Sequence, residues 1–307
     1  SHPRQGQIRL AMVISVVVLP RSGPVRLTID WTSEGDQHLL VVSLVVSRRA
    51  VPVFWRAYRQ DVLKGRRSRY ETAVVKRAFK LILAQVPPRR VRLTADRGFA
   101  DTALFELLDA LEVRFVIRVK GSTKVQLAGA WVNLHRVGFG AGARRRSLGR
   151  VLYCERSPHR LWVTVSRARN QKGAWERWHL VSNRRLAATR MAEEYGHRFA
   201  CEEGFRDAKW YLGFKRARVA AINAWSRLFA LFALALLALT TLGTFLLLAG
   251  SRDAPDLLRR VASRRRGRCE LSLVAATLSL LKQQPSLLDC LLPWTKLNLQ
   301  ASLANVS

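Results

Sequence analysis

Acidic residues are scarce in this chain. Its 307 residues hold 21 Asp and Glu against 53 Lys and Arg, a formal net charge of +32. That imbalance argues for a polyanionic partner, either nucleic acid or an anionic membrane surface. A surface built for solubility, or an arginine-rich genome, is the bland alternative. Cysteine is also scarce. Cys154, Cys201, Cys269 and Cys290 form no CxxC pair, and no His/Cys cluster has zinc spacing. This excludes a zinc site of the usual kind and leaves reduced core cysteines in a cytosolic protein. A phosphate-cradling glycine loop is missing too: "GFGAGAR" lacks the P-loop lysine and a strand-to-helix context. His38, His135, His159, His179 and His197 share no ligand spacing, and no internal repeat is visible.

What is present is an ordinary globular composition, 49% hydrophobic and 24% charged, long enough for one large domain or two smaller ones. "RLAMVISVVVL" (residues 9–19) reads as a buried strand or the tail of a preceding segment rather than a signal sequence. "VRLTID" (Val25–Asp30) reads as a strand that ends in an acid. "HLLVVSLVVSRRAVPVFWRAYRQ" (His38–Gln60) reads as two strands, with Pro52 placed near an edge. "RYETAVVKRAFKLILAQV" (Arg69–Val86) has helical spacing and stops at Pro87-Pro88. "VRLTAD" (Val91–Asp96) is a second short strand ending in an acid. A helix capped by Asp101 follows, then the strand "VRFVIRVK". The order β-β-β-α-β-α-β predicts an α/β sheet flanked by helices.

From Gly121 to about residue 185 the texture changes to short alternating runs and basic loops, which predicts a β-rich insertion. Its Trp131, Trp162, Trp175 and Trp178 read as sheet core, with stacking on splayed bases as the functional alternative. A helix is expected over roughly Thr189–Leu212, followed by 22 uncharged residues, Leu228–Ala249. By length that run suits a membrane span. A fully buried core helix fits as well, with Thr240, Thr241, Gly243 and Thr244 suggesting a break in its middle. "RRVASRRRGR" (residues 259–268) in the tail reads as a phosphate-contacting patch.

Two strands ending in Asp30 and Asp96 suit ligand binding at the edge of an α/β sheet, and two such acids suit a hard divalent cation. Asp is equally a common turn residue. A third carboxylate would complete a two-metal site for phosphoryl transfer. The stretch "YGHRFACEEGFRDAKW" offers one. On a continuous helix, with Tyr195 as zero, Arg198 falls at roughly −60°, Glu202 at roughly −20° and Lys209 at roughly −40°, while Glu203 lies at roughly +80° and Glu194 at roughly −100°. One acid thus shares a face with Tyr, Arg and Lys. That pattern is either a site or a chance alignment on a solvated face.

The spacing Tyr195, Arg198, Glu202, Lys209 resembles the Y-R-E-K motif of DDE transposases of the IS-four (insertion sequence) type. "LTIDWT" and "LTADRGFADTALFELL" resemble the family's two Asp strands, and the resemblance spans roughly Val25 to Gly250. It implies an RNase H-like mixed sheet flanked by helices, with the β-rich insertion before the Glu-bearing helix. The core would then occupy residues 25–120 and 186–250, the insertion 121–185, and a basic helical region 251–307. The resemblance implies that Asp30, Asp96 and Glu202 are the catalytic metal ligands, for two Mg2+ or Mn2+ ions. It implies that Tyr195, Arg198 and Lys209 bind DNA. The partners implied are double-stranded DNA with terminal inverted repeats, target DNA and a second copy in a homodimer. The place implied is the cytoplasm of a bacterium, on the nucleoid, with no membrane.

The chain departs from the family pattern at Phe199, often Trp there, and at Cys201, often Ile. Both keep an apolar packing residue. Only 29 residues precede Asp30, where the family usually carries an end-recognition domain. The chain, which opens on Ser1, is therefore expected to be a fragment or a product of processing, with residues 1–24 as linker. Two other readings stand beside this one. A decayed or domesticated copy would bind DNA without cutting it, and a basic membrane protein would rest on the apolar run alone.

Overall fold

The computed structural model describes residues 22–46, 49–169, 174–214, 217, 219–249, 261, 264–265, 268–269 and 272–290. The run at residues 9–19 and most of the basic patch at 259–268 lie outside them. The chain divides into two compact units. The first comprises Pro20–Trp31 and Gln60–Phe199, and the second comprises Thr32–Arg59 with residues from Ala200 onward.

In the first unit the strand order is β1-β4-β5-β10-β9-β8-β6-β7. Here β1 is Val25–Glu34, β4 Val91–Ala95, β5 Arg114–Val119, β6 Lys124–Leu127, β7 Ala130–Asn133, β8 Arg145–Tyr153, β9 His159–Arg169 and β10 Trp175–Ser182. The pairs β1–β4 and β4–β5 are parallel, whereas β5–β10, β10–β9 and β9–β8 are antiparallel. The fold is α/β with a mixed sheet, as expected of an RNase H-like protein. The β-rich stretch after Gly121 extends this same sheet.

Period-two alternation decides which residues meet which helices. Val25, Leu27 and Ile29 are fully buried on one face of β1, as are Leu93 on β4 and Ile117 on β5. Helices α2 (Arg67–Leu83) and α3 (Thr102–Ala110) cover that face. Trp31 donates from Nε1 to Glu71 Oε1 of α2 at 2.6 Å, and Phe105 of α3 stacks on Phe115 of β5 at 5.2 Å. Asp101 caps α3 by accepting from the Ala103 N–H, as the sequence predicts. A short α1 (Gln60–Leu63) precedes α2. Helix α4 (Ala188–Gly196) covers the opposite face through Met191, Ala192 and Tyr195, which pack on Val116, Trp178 and Leu180.

The second unit is built on β2 (Gln37–Val46) and β3 (Arg49–Arg59), an antiparallel pair with the end of β1 beside β2. The register passes from Val42↔Phe54 to Ser43↔Pro52, so a bulge at Val53 immediately follows the proline. Pro52 lies on β3, the outermost strand, where a missing N–H costs no ladder bond. Helix α6 (Ile222–Ala249) packs on this pair. Trp55 donates from Nε1 to Ser226 Oγ at 3.1 Å and meets Phe229 edge-on at 5.4 Å.

The expected break in the apolar run is absent: α6 is one helix. Thr244 returns its hydroxyl to the Thr240 carbonyl at 2.7 Å, which satisfies the side chain without interrupting the helix. Gly243 is there for close approach. A Cβ at that position would lie 2.8 Å from Leu273 Cδ1 and would collide with the Thr277 hydroxyl, both on α7 (Leu273–Gln283). Within α6, Ile222–Leu247 is long and apolar enough to cross a membrane. Trp225, Phe229, Ala233, Leu236 and Leu242 are nonetheless buried, while Leu231 (64% exposed) and Phe245 (47%) face outward.

The helix expected over Thr189–Leu212 is two helices, α4 and α5 (Phe199–Trp210), separated at His197–Arg198. Gly196 is a poor helix former. The N–H groups of His197 and Arg198 turn back to Glu194 and Tyr195 three residues earlier, at 3.2 and 3.0 Å, so the last turn tightens and the helix ends. The arc computed for a continuous helix therefore does not run through residues 195–209.

Candidate active site

Five of six residues are shared by "VRLTID" and "VRLTAD", and the two segments pair in register from Val25↔Val91 to Ile29↔Ala95. The register β4–β5 continues the match with Arg92↔Arg114 and Thr94↔Val116. On the α4 face this builds three parallel rows. The first is Arg26, Arg92, Arg114, the second is Thr28, Thr94, Val116, and the third, one step beyond the last hydrogen-bonded pairs, is Asp30, Asp96, Arg118. Neighbouring strands lie about 4.8 Å apart, so the two aspartates stand side by side.

Helix α4 and the turn after it meet these rows. Glu194 is 2% exposed and accepts from Arg26 Nε and Nη2, both at 3.2 Å, and from Arg92 Nη1 at 2.5 Å. Burial alone would raise its pKa, but the hydrogen bond from Arg26 and the charges of Arg26 and Arg92 pull it below the ordinary glutamate value. One residue on, the Tyr195 hydroxyl donates to Asp96 Oδ1 at 3.2 Å. Tyr195 is fully buried, edge-on to Trp178 at 5.0 Å. Burial, with Asp96 nearby, pushes its pKa up to about 12 against the opposing charge of Arg198, so the hydroxyl keeps its proton. In the turn, Arg198 Nη1 donates to Asp30 Oδ2 at 3.1 Å, and its guanidinium lies over Phe199 at 5.2 Å. Asp30 Oδ1 accepts from the Trp31 N–H at 2.8 Å. Arg118, at the end of the third row, pairs with Glu176. Burial would lower its pKa, but Glu176, Tyr195 and Asp96 raise it.

Four of the six expected site residues, Asp30, Asp96, Tyr195 and Arg198, therefore come together in the first unit. Tyr195 and Arg198 are buried and hold the two carboxylates. The other two, Glu202 and Lys209, sit on α5 in the second unit, Glu202 in the first turn and Lys209 in the last, which suits the helix dipole. Seven residues apart, they share a face to within about 20°. Lys209 Nζ donates to the Ser33 carbonyl at 3.2 Å. Helix α5 is seated by Gly204, whose position leaves a Cβ only 2.9 Å from the Ala50 carbonyl oxygen, and by Asp207. Asp207 is fully buried, 2.9 Å from Arg49 and from the Ser272 hydroxyl, and burial raises its pKa.

Sequence reasoning passed over Glu194, Arg26, Arg92 and Arg118. Glu194 falls off the helical arc, yet it is the residue that ties α4 to both Asp strands. The signal was the repeated V-R-L-T-x-D, whose period two places each Arg on the same face as its Asp. Of the cysteines, Cys201 is buried as expected and Cys154 half-buried. Of the tryptophans, Trp178 is core while Trp175 is 53% exposed, flanked by Arg144 and Arg169 at 5.4 and 5.1 Å.

Asp30 and Asp96 offer hard oxygens. A carboxylate has about four lone-pair positions, so the bond from Tyr195 leaves acceptor capacity on Asp96. The pair fits a Mg2+-class ion as two of its ligands. Among the described residues no group of three or more His, Cys, Asp or Glu is gathered as a metal site.

No curated protein matches the sequence. A family model described as the transposase DDE domain matches residues 65–238, a span that includes Asp96, Tyr195, Arg198, Glu202 and Lys209 and begins after Asp30. With more than half of its length matched, and with two aspartates abreast on parallel strands, this chain belongs to the transposase DDE domain family.

Proposed function

We propose that the chain is the catalytic part of a DNA transposase of the IS-four type, which hydrolyses phosphodiester bonds at the ends of its element and joins the freed 3′-hydroxyl to target DNA. The observation that carries this reading is the pairing of Asp30 with Arg198 and of Asp96 with Tyr195. Two residues of a Y-R-E-K spacing engage the two acids that stand abreast on neighbouring strands of a transposase DDE domain. Asp30, Asp96 and Glu202 are the proposed catalytic ligands, for two Mg2+ or Mn2+ ions. Such ions, when bound, supply Lewis acidity at the reacting phosphate and an activated oxygen nucleophile.

The protein's own part is positioning. Tyr195 stays protonated as a donor and fixes the carboxylate plane of Asp96. Arg198 offsets the charge of Asp30 and limits the repulsion between two adjacent acids. Both residues can serve DNA phosphates only while sharing their donors with these carboxylates. Lys209 is differently placed: an ammonium has three donors, and one bond to Ser33 leaves others for a phosphate. Residues 25–120 and 186–250 would form the core, residues 121–185 the insertion, and residues 251–307 a basic appendage. The partners would be inverted-repeat ends and target DNA, the working form a dimer, and the location the bacterial nucleoid. Helix α6 is read as the core helix of its unit rather than a membrane span.

The test is cleavage of DNA that carries the ends of the encoding element, with Mg2+, compared with Asp96→Ala and Glu202→Gln. Wild type should cut, a chelator should stop it, and both variants should bind DNA without cutting. If wild type binds the ends and cuts no better than the variants, the chain is a DNA-binding relic and the enzymatic reading fails.

A further inference from the structure

The first unit holds a cavity of about 510 Å3 that none of the proposed catalytic residues lines. Its floor follows from strand register. Thr94, Val116, Ser182, Trp162 and Arg150 lie in one continuous cross-strand row over β4, β5, β10, β9 and β8. Residues directly opposite point to the same face, so Trp162 and Arg150 rise on the side that α4 covers. Arg92 and Arg114 stand one row further from the aspartates. The rim comes from the segment after β10, where Arg184 and Arg185 lead into α4.

The charge in this cavity is unanswered. Arg114, Arg150, Arg184 and Arg185 are exposed and form no ion pair among the described residues, whereas most buried or half-buried arginines of this unit do. The one acid in the lining is Glu194, already taken by Arg26 and Arg92. The arginines are also held in place. Arg185 lies over Trp162 at 5.8 Å. The Arg184 N–H bonds to Ser182 Oγ at 3.2 Å. Asn183 fixes the segment by donating to Asp109 Oδ1 and the Val113 carbonyl, at 2.7 and 2.9 Å, while accepting from the Phe115 N–H. Four guanidiniums gathered round a concave, partly apolar site, with no protein carboxylate to answer them, suit a phosphate by forked hydrogen bonding.

We propose that this cavity binds a backbone phosphate of the DNA strand, as a second anchoring point distinct from the paired aspartates. At about 3.3 Å per residue, Arg92 lies roughly 13 Å along β4 from Asp96, within reach of the same DNA molecule. This rests on the reading of the chain as acting on DNA.

The triple variant Arg150→Ala/Arg184→Ala/Arg185→Ala tests it. Affinity for a short duplex of arbitrary sequence is followed by fluorescence anisotropy between about 50 and 200 mM salt. Each lost phosphate contact lowers the slope of log K against log salt by about 0.9, so loss of this one phosphate should lower it by about 1. The triple variant Lys76→Ala/Arg77→Ala/Lys80→Ala removes the same charge from the exposed side of α2 and should leave the slope nearly unchanged. Thermal melting verifies that both fold. Equal slope changes in the two variants would show a diffuse charge effect and overturn the site. So would an unchanged slope in the cavity variant. Calorimetric titration with orthophosphate separates a second source. Binding of orthophosphate by wild type alone, with DNA slopes unchanged, would make the cavity a free-phosphate site and refute the DNA assignment. Wild type that binds no duplex at the lowest salt sinks both this inference and the DNA reading. Cleavage that depends on Asp96 and Glu202, with unaltered slopes, sinks this inference alone.

Discussion

Replacing Glu194 by Gln keeps the shape of the side chain and removes its charge. Glu194 is 2% exposed and takes two hydrogen bonds from Arg26 and one from Arg92. Removing one partner of a buried ion pair costs about 3–5 kcal/mol. The two arginine side chains are 24% and 27% exposed, so water recovers part of this, and about 2–3 kcal/mol is expected at pH 7. That corresponds to a melting temperature lower by about 3–5 °C for a protein of this size. The effect has a defined pH signature. The pKa of Glu194 is depressed in the fold, so its contribution is complete above the ordinary value of 4.5 and is lost as pH falls through the lower folded value. The gap between wild type and variant should hold from pH 7 to about pH 5 and narrow below 4.5. Urea titrations across that range, followed by circular dichroism, measure it. A gap under about 0.5 kcal/mol at pH 7, within the range of an ordinary surface substitution, would refute the reasoning. So would a gap of equal size at pH 3 and pH 7.

Gly243→Ala should destabilise the chain by about 1–2 kcal/mol, because overpacking against Leu273 and Thr277 outweighs the better helix propensity of alanine; a urea midpoint equal to or above wild type would contradict the close α6–α7 approach. The His179 ring should titrate near pH 4 rather than 6.5, since burial, aided by Arg177, Arg118 and His135, disfavours its charged form. The unfolded chain binds that proton first, so stability should fall as pH drops from 6.5 towards 4, and a ring resonance that shifts near 6.5 would count against the buried neutral imidazole.

Much of the first unit was legible because its strands are short, apolar and punctuated. Val91–Asp96 declares a strand and its end, whereas the strand expected to end at Asp30 runs on to Glu34, and the helix expected to reach Val86 ends at Leu83, one turn before Pro87-Pro88. Pro52 was placed near an edge for want of an N–H, and that is where it lies. The helix break at His197–Arg198 was not legible. Gly196 alone is a weak breaker, and the two i→i+3 bonds that end α4 depend on what Tyr195 and Arg198 find in the sheet. The reverse error occurred in α6. Thr240, Thr241 and Gly243 look like a break in one dimension, but the glycine answers to α7, which is remote in sequence. Glu194 was set aside for the same reason. A helical projection ranks residues against one another on one helix, while the partner that decides the matter comes from two strands.

The twin hexapeptides bear on folding errors. A slip of β4 against β1 by one residue would turn Arg92 into the apolar layer and Leu93 out of it. A slip by two residues would keep the faces and is the more dangerous mistake, because Thr28 would then stand opposite Asp96 and Asp30 would have no carboxylate beside it. Glu194 discriminates against that near-miss, since only the native alignment brings Arg26 and Arg92 within reach of one carboxylate. It works as a proofreading contact, a local check on alignment made four residues upstream of the acids whose adjacency it guarantees.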